Sequence, residues 1–302
     1  PLVDARVEVT RAVDGVGLCI KEIAGLAGKQ IPMDLTQAGA GHTAFTRREP
    51  IGPVVAVSAF NHPLNLIVHQ VGPAIATGCP VLIKPADDTP LSCKAFVDIL
   101  YEAGLPEEWC RFVPCDIATA QMLVTDPRVA FFSFIGSAKV GWMLKSKLAP
   151  GTRCALEHGG AAPVIIDHSA DIEAMIPSLA KGGFYHSGQV CVSVQRVMTP
   201  KGMAEDIPLI RPHEVDRVCN WVAEAKQAGA KLLMGGEKLG ATTYAPTVLL
   251  RPPLDAKVSR QEIFGPVVCV YKHETIQDAI AQANDLPFGF KRQFIPTTST
   301  WR

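Results

Sequence analysis

Residues 53–84 read PVVAVSAFNHPLNLIVHQVGPAIATGCPVLIK, and their pattern decides the fold. The run 54–60 is apolar but for Ser58, as a strand buried on both faces requires. A helix follows, with Pro63 in its first turn, where a missing N–H costs nothing. It runs to Thr77 and stops at Gly78. A second apolar strand spans 81–83. Strand, helix and strand with both strands so apolar imply a parallel sheet covered on both faces. The same unit repeats downstream. A helix over 91–103 ends at Gly104, strands follow at 111–113 and 129–135, and a helix over 118–124 lies between them. Ser137 is placed to cap the next helix, whose inner face carries Val140, Leu144 and Leu148.

Working outward, 4–26 has helical spacing at Val7, Val9, Val13, Val16 and Ile20. The polar stretch 29–49, with a turn at 39–41, reads as a β-hairpin. After Gly159 a second α/β region begins. Strands are expected at 163–166, 231–234, 248–250 and 267–270, and helices at 171–179 and 215–228. The length of 302 residues accommodates two domains. Composition marks no linker, and there is no internal repeat.

The charge balance narrows the function classes. Lys plus Arg and Asp plus Glu are 29 each, so no basic field invites nucleic acid or anionic lipid. No uninterrupted apolar run is long enough to span a bilayer, and no basic-then-apolar leader opens the chain. Nine cysteines without CxxC pairs resemble neither a disulfide framework nor a zinc site. Reduced thiols in a cytoplasmic protein are the expected state, most of them acting as small buried hydrophobes.

Six short pieces carry the chemistry: Phe60-Asn61-His62-Pro63, Lys84-Pro85-Ala86, Phe134-Ile135-Gly136-Ser137, Leu156-Glu157-His158-Gly159-Gly160, Gly188-Gln189-Val190-Cys191 and Glu262-Ile263-Phe264-Gly265-Pro266. Each alone is weak. In this order and spacing, over 1–290, they resemble the signatures of the NAD(P)-dependent aldehyde dehydrogenases of hydrolytic type, with the lactaldehyde and phosphonoacetaldehyde dehydrogenase-like members as the subgroup. The resemblance implies an open parallel Rossmann-like sheet for cofactor binding (1–30 and 51–158), a second α/β catalytic domain (159–290), and an oligomerisation hairpin (31–50).

The resemblance also implies roles. Oxidation of an aldehyde to an acid needs a nucleophile that makes a tetrahedral adduct able to expel hydride. A thiolate suits, because it attacks well near neutral pH and later leaves from a thioester. Cys191 is that residue; for the other eight cysteines burial is the ordinary reading. Asn61 becomes the donor to the oxyanion, with the backbone N–H of Cys191 as its partner; the structural alternative is an Asn capping the helix at Pro63. Glu157, at an apolar strand end before two glycines, becomes the base that activates water. Desolvation there is expected to raise its pKa; the alternative is a salt-bridged structural Glu. Relatives that pass the acyl group to coenzyme A generally lack this base, so free acid is the expected product.

NAD is the implied cofactor, with NADP as the alternative. Lys84 falls on the adenosine ribose, and Asp87 falls where many relatives place a Glu that accepts from the 2′- and 3′-hydroxyls and repels a 2′-phosphate. Ser137 opens a helix whose free N–H groups suit phosphate. Phe60 flanks the cofactor, and Glu262 and Phe264 hold the nicotinamide ribose and ring. His62, His69 and His186 are the substrate candidates, suiting a short polar or anionic aldehyde; a hydrogen-bonded structural His is the alternative for each. The expected partners are a small-molecule aldehyde and, as in full-length relatives, further copies of the chain, with neither nucleic acid nor membrane.

The chain departs from the family pattern in several places. The stretch 113–126 lacks the glycine-rich loop that many relatives show after the strand at 111–113. The chain is expected to be truncated at both ends, is shortened near 198–208, and carries an aberrant tail at 291–302. Codons can be chosen for that tail so that a shifted frame encodes Ala-Ser-Val-Tyr-Thr-Asn-Asp-Leu-Asp-Val-Ala, the string the family shows after Pro287-Phe288-Gly289. A frameshift is therefore expected, and the nucleotide sequence tests it. With these losses the hairpin edges are left unpaired, and weak solubility and weak or absent activity are expected. The competing reading is a catalytically inactive remnant that keeps at most nucleotide or partner binding.

Overall fold

A computed structural model describes residues 2–167, 170–198, 212–288 and 293–295. The chain divides into two units, Pro1–His158 and Gly159–Arg302. Unit 1 opens with α1 (Leu2–Ile23) and a short antiparallel pair, β1 (Gln30–Ile31) with β2 (Ala44–Phe45). The turn between them spans 34–41, wider than the glycine-centred turn expected.

Its main sheet contains β3 (Val54–Val57), β4 (Val81–Lys84), β5 (Cys110–Phe112), β6 (Phe131–Ile135) and β7 (Arg153–Glu157). Their order is β5-β4-β3-β6-β7, and every neighbouring pair is parallel. The crossovers are α2 (Asn65–Ala76), α3 (Pro90–Glu102), α4 (Ile117–Thr125) and α5 (Ala138–Lys145). Val55, Ala56, Val81, Ile83 and Phe132 are almost completely buried, which explains why these strands read as apolar runs. Ile67, Val68, Val71 and Ala74 form the inner face of α2 at helical spacing. Burying each larger side chain of this kind is worth about 1.5–3 kcal/mol.

Local chemistry fixes the boundaries. β3 is shorter than the apolar run 54–60. Its neighbour β4 ends at Lys84 because Pro85 has no N–H to continue a ladder. The last bond joining the two runs from Ser58 N–H to the Lys84 carbonyl, 3.0 Å. Residues 59–60 therefore enter the turn. Regular helix α2 begins at Asn65, although its first i→i−4 bond joins Leu66 N–H to the His62 carbonyl at 3.0 Å. Gly78, at φ 75°, ends that helix in the left-handed conformation. Asp116 caps α4 by accepting from Thr119 N–H at 2.7 Å. The inner face expected for α5 is corrected in part: Leu144 is buried, but Val140 is 40% exposed.

Unit 2 contains β8 (Ala162–Ile166), β9 (Val194–Met198), β10 (Lys231–Met234), β11 (Thr247–Leu250), β12 (Val267–Tyr271) and β13 (Gln293–Ile295). Among the described residues they form one sheet in the order β10-β11-β12-β9-β8-β13. All neighbours are parallel except β10 and β11. Its helices are α6 (Ile172–Phe184), α7 (Pro212–Gln227), α8 (Lys257–Arg260) and α9 (Ile276–Asn284). The last is fixed by a capping box between Thr275 and Asp278. The shortened stretch near 198–208 lies, from 199 on, outside the described residues. So does the tail 291–302, apart from 293–295, which pair with β8.

Candidate active site

In unit 1 the parallel ladder delivers four of the residues singled out in the sequence to the carboxyl end of one sheet. Asn61 follows β3, Lys84 ends β4, Ser137 follows β6 and Glu157 ends β7. This end of an open parallel sheet is where ligands bind, since strands stop there and side chains and amides turn outward. Asn61 and His62 are buried at 6% and 5% exposure. The N-cap position of regular helix α2 is Leu64, which makes no side-chain cap bond, with Asn61 three residues ahead of it. Beyond the turn, Gln70 Nε2 donates to the Val57 carbonyl (3.3 Å), the Ser133 carbonyl (3.1 Å) and Ser133 Oγ (3.0 Å). One amide therefore locks the second turn of α2 onto the end of β3 and the middle of β6.

Lys84 is buried, and its ammonium donates to the exposed carboxylate of Asp87 one turn later. Ser137 caps α5 by accepting from Val140 N–H at 3.5 Å. Glu157 ends the edge strand β7 in register with Ile135, and its carbonyl accepts from Gly136 N–H at 3.1 Å. Its side chain is exposed, so the apolar surroundings expected from the sequence are corrected: β7 has a neighbour on one side only. His69 lies within electrostatic reach of it. Partial burial pushes the His69 pKa below the usual histidine value and the Arg11 guanidinium adds to this, while Glu157 opposes it. The lowered pKa favours the neutral ring, which can both donate and accept. It opens on a cavity of about 460 Å³ that also takes in Arg48, Gln70 and Ser133, but not Asn61.

In unit 2, His186, Ser187 and Gly188 all have left-handed backbones, at φ 52°, 59° and 70°. For the two non-glycine residues this is strained geometry, held by the surrounding structure. The turn is closed by Gln189 N–H donating to the His186 carbonyl at 3.1 Å, and it presents the half-buried Cys191. Gly188 has a second reason to be glycine, because a Cβ there would stand 2.3 Å from the Gly265 carbonyl oxygen. Two segments far apart in sequence, 185–193 and 261–266, thereby touch. Ser193 Oγ tethers the first to α6 through the Gly183 carbonyl at 3.1 Å.

The second segment is braced by a residue the sequence reading did not single out. Gln195 on β9 donates to the Gln261 carbonyl at 2.6 Å and accepts from Ile263 N–H at 2.7 Å. Glu262 is therefore gripped on both sides. Its Oε1 is buried without a hydrogen-bond partner, and burial pushes its pKa up to about 7, against a weaker opposing pull from Arg217. A Cβ on Gly159 would lie 1.6 Å from that oxygen, so only glycine at this position leaves room for the carboxyl. Phe264 adopts a left-handed backbone at φ 49°. Arg196 fastens the strand start to α9, its guanidinium donating to the carbonyls of Ala161 (3.0 Å), Gln282 (3.2 Å) and Ala283 (3.2 Å). All nine cysteines are free thiols. Among the described residues no cluster of His, Cys, Asp and Glu suits a metal ion, and no helix is long and apolar enough to cross a membrane.

The aldehyde dehydrogenase family model matches residues 1–207 and 205–296. The chain belongs to the aldehyde dehydrogenase family. It is 34% identical over 313 residues to 3-sulfolactaldehyde dehydrogenase of Priestia megaterium, a match covering 95% of this chain and 65% of that relative. Among solved structures, aldehyde dehydrogenase 21 of Physcomitrella patens, in complex with the reaction product succinate, superposes with a TM-score of 0.90 at 34% identity, covering 97% of this chain and 66% of the other. A Mycobacterium tuberculosis aldehyde dehydrogenase complexed with NAD+ gives a TM-score of 0.84 at 30% identity, covering 94% and 65%. The chain thus spans about 65% of the length of the relatives it matches. The α/β architecture expected from residues 53–84 is the architecture of these aldehyde dehydrogenases.

Proposed function

We propose that this chain carries the site of an NAD(P)-dependent aldehyde dehydrogenase that converts a short anionic aldehyde to its carboxylic acid. The observation that carries the reading is the placement of Asn61, Lys84, Ser137 and Glu157 at one end of one parallel sheet, in a chain whose strained turn presents Cys191.

In this reading the Cys191 thiolate adds to the aldehyde carbon, forming the C–S bond and moving the carbonyl electron pair onto oxygen. The Asn61 amide donates to that oxyanion. NAD(P), which Lys84, Asp87, Glu262 and Phe264 would hold, would supply the acceptor for the hydride that the adduct releases. Glu157 then takes a proton from water, whose oxygen adds to the thioester carbon. The C–S bond breaks and the thiolate leaves, with the acid as product.

Several features fit a dinucleotide. The buried, unpartnered Oε1 of Glu262 lies over a glycine that leaves it room, as a carboxyl awaiting ribose hydroxyls should. Lys84 and Asp87 suit the adenosine ribose, with Phe60, Ser137 and Phe264 as further contacts. Because Asp87 is paired with Lys84, a 2′-phosphate would meet a carboxylate that has already taken the local cation. NAD is therefore the favoured cofactor. Asp87→Asn should raise kcat/KM for NADP relative to NAD by about tenfold, since like charges at such a contact are costly; an unchanged ratio removes Asp87 from cofactor choice.

The substrate class is read from the polar rings of His69, His62 and His186, which suit a short polar or anionic aldehyde. Reduced thiols suit a cytoplasmic setting, and self-association through the hairpin segment 31–50 is proposed by analogy with the family. The deciding experiment follows NADH formation with short carboxylated and sulfonated aldehydes, using Cys191→Ala as the control. NADH from the native chain and none from the variant supports the enzyme. Equal traces, with nucleotide still bound, favour the inactive remnant instead. A requirement for coenzyme A would displace the hydrolytic reading, against which Glu157 stands.

A further inference from the structure

The helix that follows Asn61 starts without a cap of its own. Leu64, at its N-cap position, makes no side-chain hydrogen bond to the helix. Yet the amides of Leu64 and Asn65 belong to the first turn, where no helical carbonyl is available to them. Both are satisfied from a distant part of the chain. Glu8 Oε1 accepts from Leu64 N–H at 2.7 Å and from Asn65 N–H at 3.0 Å. Glu8 is 7% exposed and lies on α1, which packs along α2. A carboxylate taken out of water at that depth is held by two charge-assisted bonds and by the positive end of α2.

This contact sits three residues from Asn61. On the strand side the chain is fixed by Ser58 N–H on the Lys84 carbonyl. On the helix side it is fixed by Glu8 and, a turn later, by Gln70. Only the turn 59–63 lies between these clamps. We propose that Glu8 is a positioning residue: by capping α2 from another helix it sets the orientation in which Asn61 offers its amide to the oxyanion. The inference rests on the role given to Asn61 above. α1 would then be more than a cover for the sheet, since it carries the carboxylate that finishes the oxyanion turn.

A purely structural cap and a positioning cap differ in what they couple to. The test is a double-mutant cycle of Glu8→Ala and Asn61→Ala, with Glu8→Gln as the conservative variant, read as kcat and KM for aldehyde and for NAD. Glu8→Ala should lower kcat about tenfold or more and leave the KM for NAD within twofold. Glu8→Gln should recover most of that loss, because its amide oxygen still accepts. In the Asn61→Ala background, Glu8→Ala should change kcat less than twofold. Equal losses in both backgrounds, or no loss at all, overturn the proposal. A normal rate for Asn61→Ala alone overturns instead the oxyanion role on which it rests.

Should Glu8→Ala melt before assay, or should the native chain lack turnover, the comparison moves to the Asn61 side-chain amide resonances of the Glu8→Gln and Glu8→Asp variants. A displaced or broadened Asn61 signal with Glu8→Asp, whose carboxylate is one methylene short, supports the proposal. Native Asn61 resonances in Glu8→Asp overturn it.

Discussion

Glu157→Gln should form one equivalent of NADH per Cys191 and then stall. Glu157 ends an edge strand with its side chain exposed, so water reaches the carboxylate without any rearrangement of β7. Gln keeps the shape and a hydrogen-bonding oxygen but cannot take a proton. Formation of the thiohemiacetal and loss of hydride need no general base at this position, and they survive. Hydrolysis of the thioester loses its base, and general-base assistance is typically worth about 10²–10⁴-fold. Rapid-mixing absorbance at the NADH band should show a burst of unchanged amplitude followed by a steady rate lower by about that factor. Mass spectrometry of the quenched protein should find the acyl group on the peptide containing Cys191. Steady turnover at the native rate would remove Glu157 from the mechanism. A lost burst would move its role to the acylation half.

The parts of this molecule that were legible in the sequence are those fixed by neighbours along the chain. Val54–Val57, Val81–Ile83 and, apart from Ser133, Phe131–Ile135 are apolar because a covered parallel sheet demands it. Gly78 and Gly104 stop their helices through a left-handed backbone that glycine adopts at no cost. Ser137 caps as its position suggested. What stayed hidden depends on partners far away in sequence. β9 holds Gln195 and Arg196 in the middle of a strand, a polar pair that hides its apolar pattern. Those polar groups are there to grip residues more than sixty positions onward, the Gln261–Ile263 backbone and the α9 carbonyls. Glu8 looks like one more charge on an amphipathic helix until α1 lies on α2. The surroundings of Glu157 were misjudged for the same reason: apolar letters before it describe β7 itself, while exposure depends on β7 having no strand on its outer side.

Asn61→Ala should cost the larger share of the acylation rate while leaving the fold intact. Asn61 is 6% exposed in a turn whose two ends are fixed by backbone bonds, by Gln70 and by Glu8, so the truncation removes an amide without loosening its frame. One oxyanion donor is typically worth about 3 kcal/mol, or about 10²–10³ in kcat. The remaining donor in this reading, the Cys191 backbone N–H, sets the residual rate. Because the lost interaction strengthens only as negative charge develops on oxygen, kcat should fall while the KM for aldehyde changes little. Stopped-flow NADH formation should therefore lose its burst, the reverse of the outcome for Glu157→Gln, since acylation becomes the slow step. Iodoacetamide labelling of Cys191, which builds no oxyanion on a carbonyl carbon, should proceed at the native rate and show the half-buried thiol as reachable and reactive as before. If labelling slows in parallel with turnover, Asn61 acts by holding the thiol environment together and its assignment as the oxyanion donor fails.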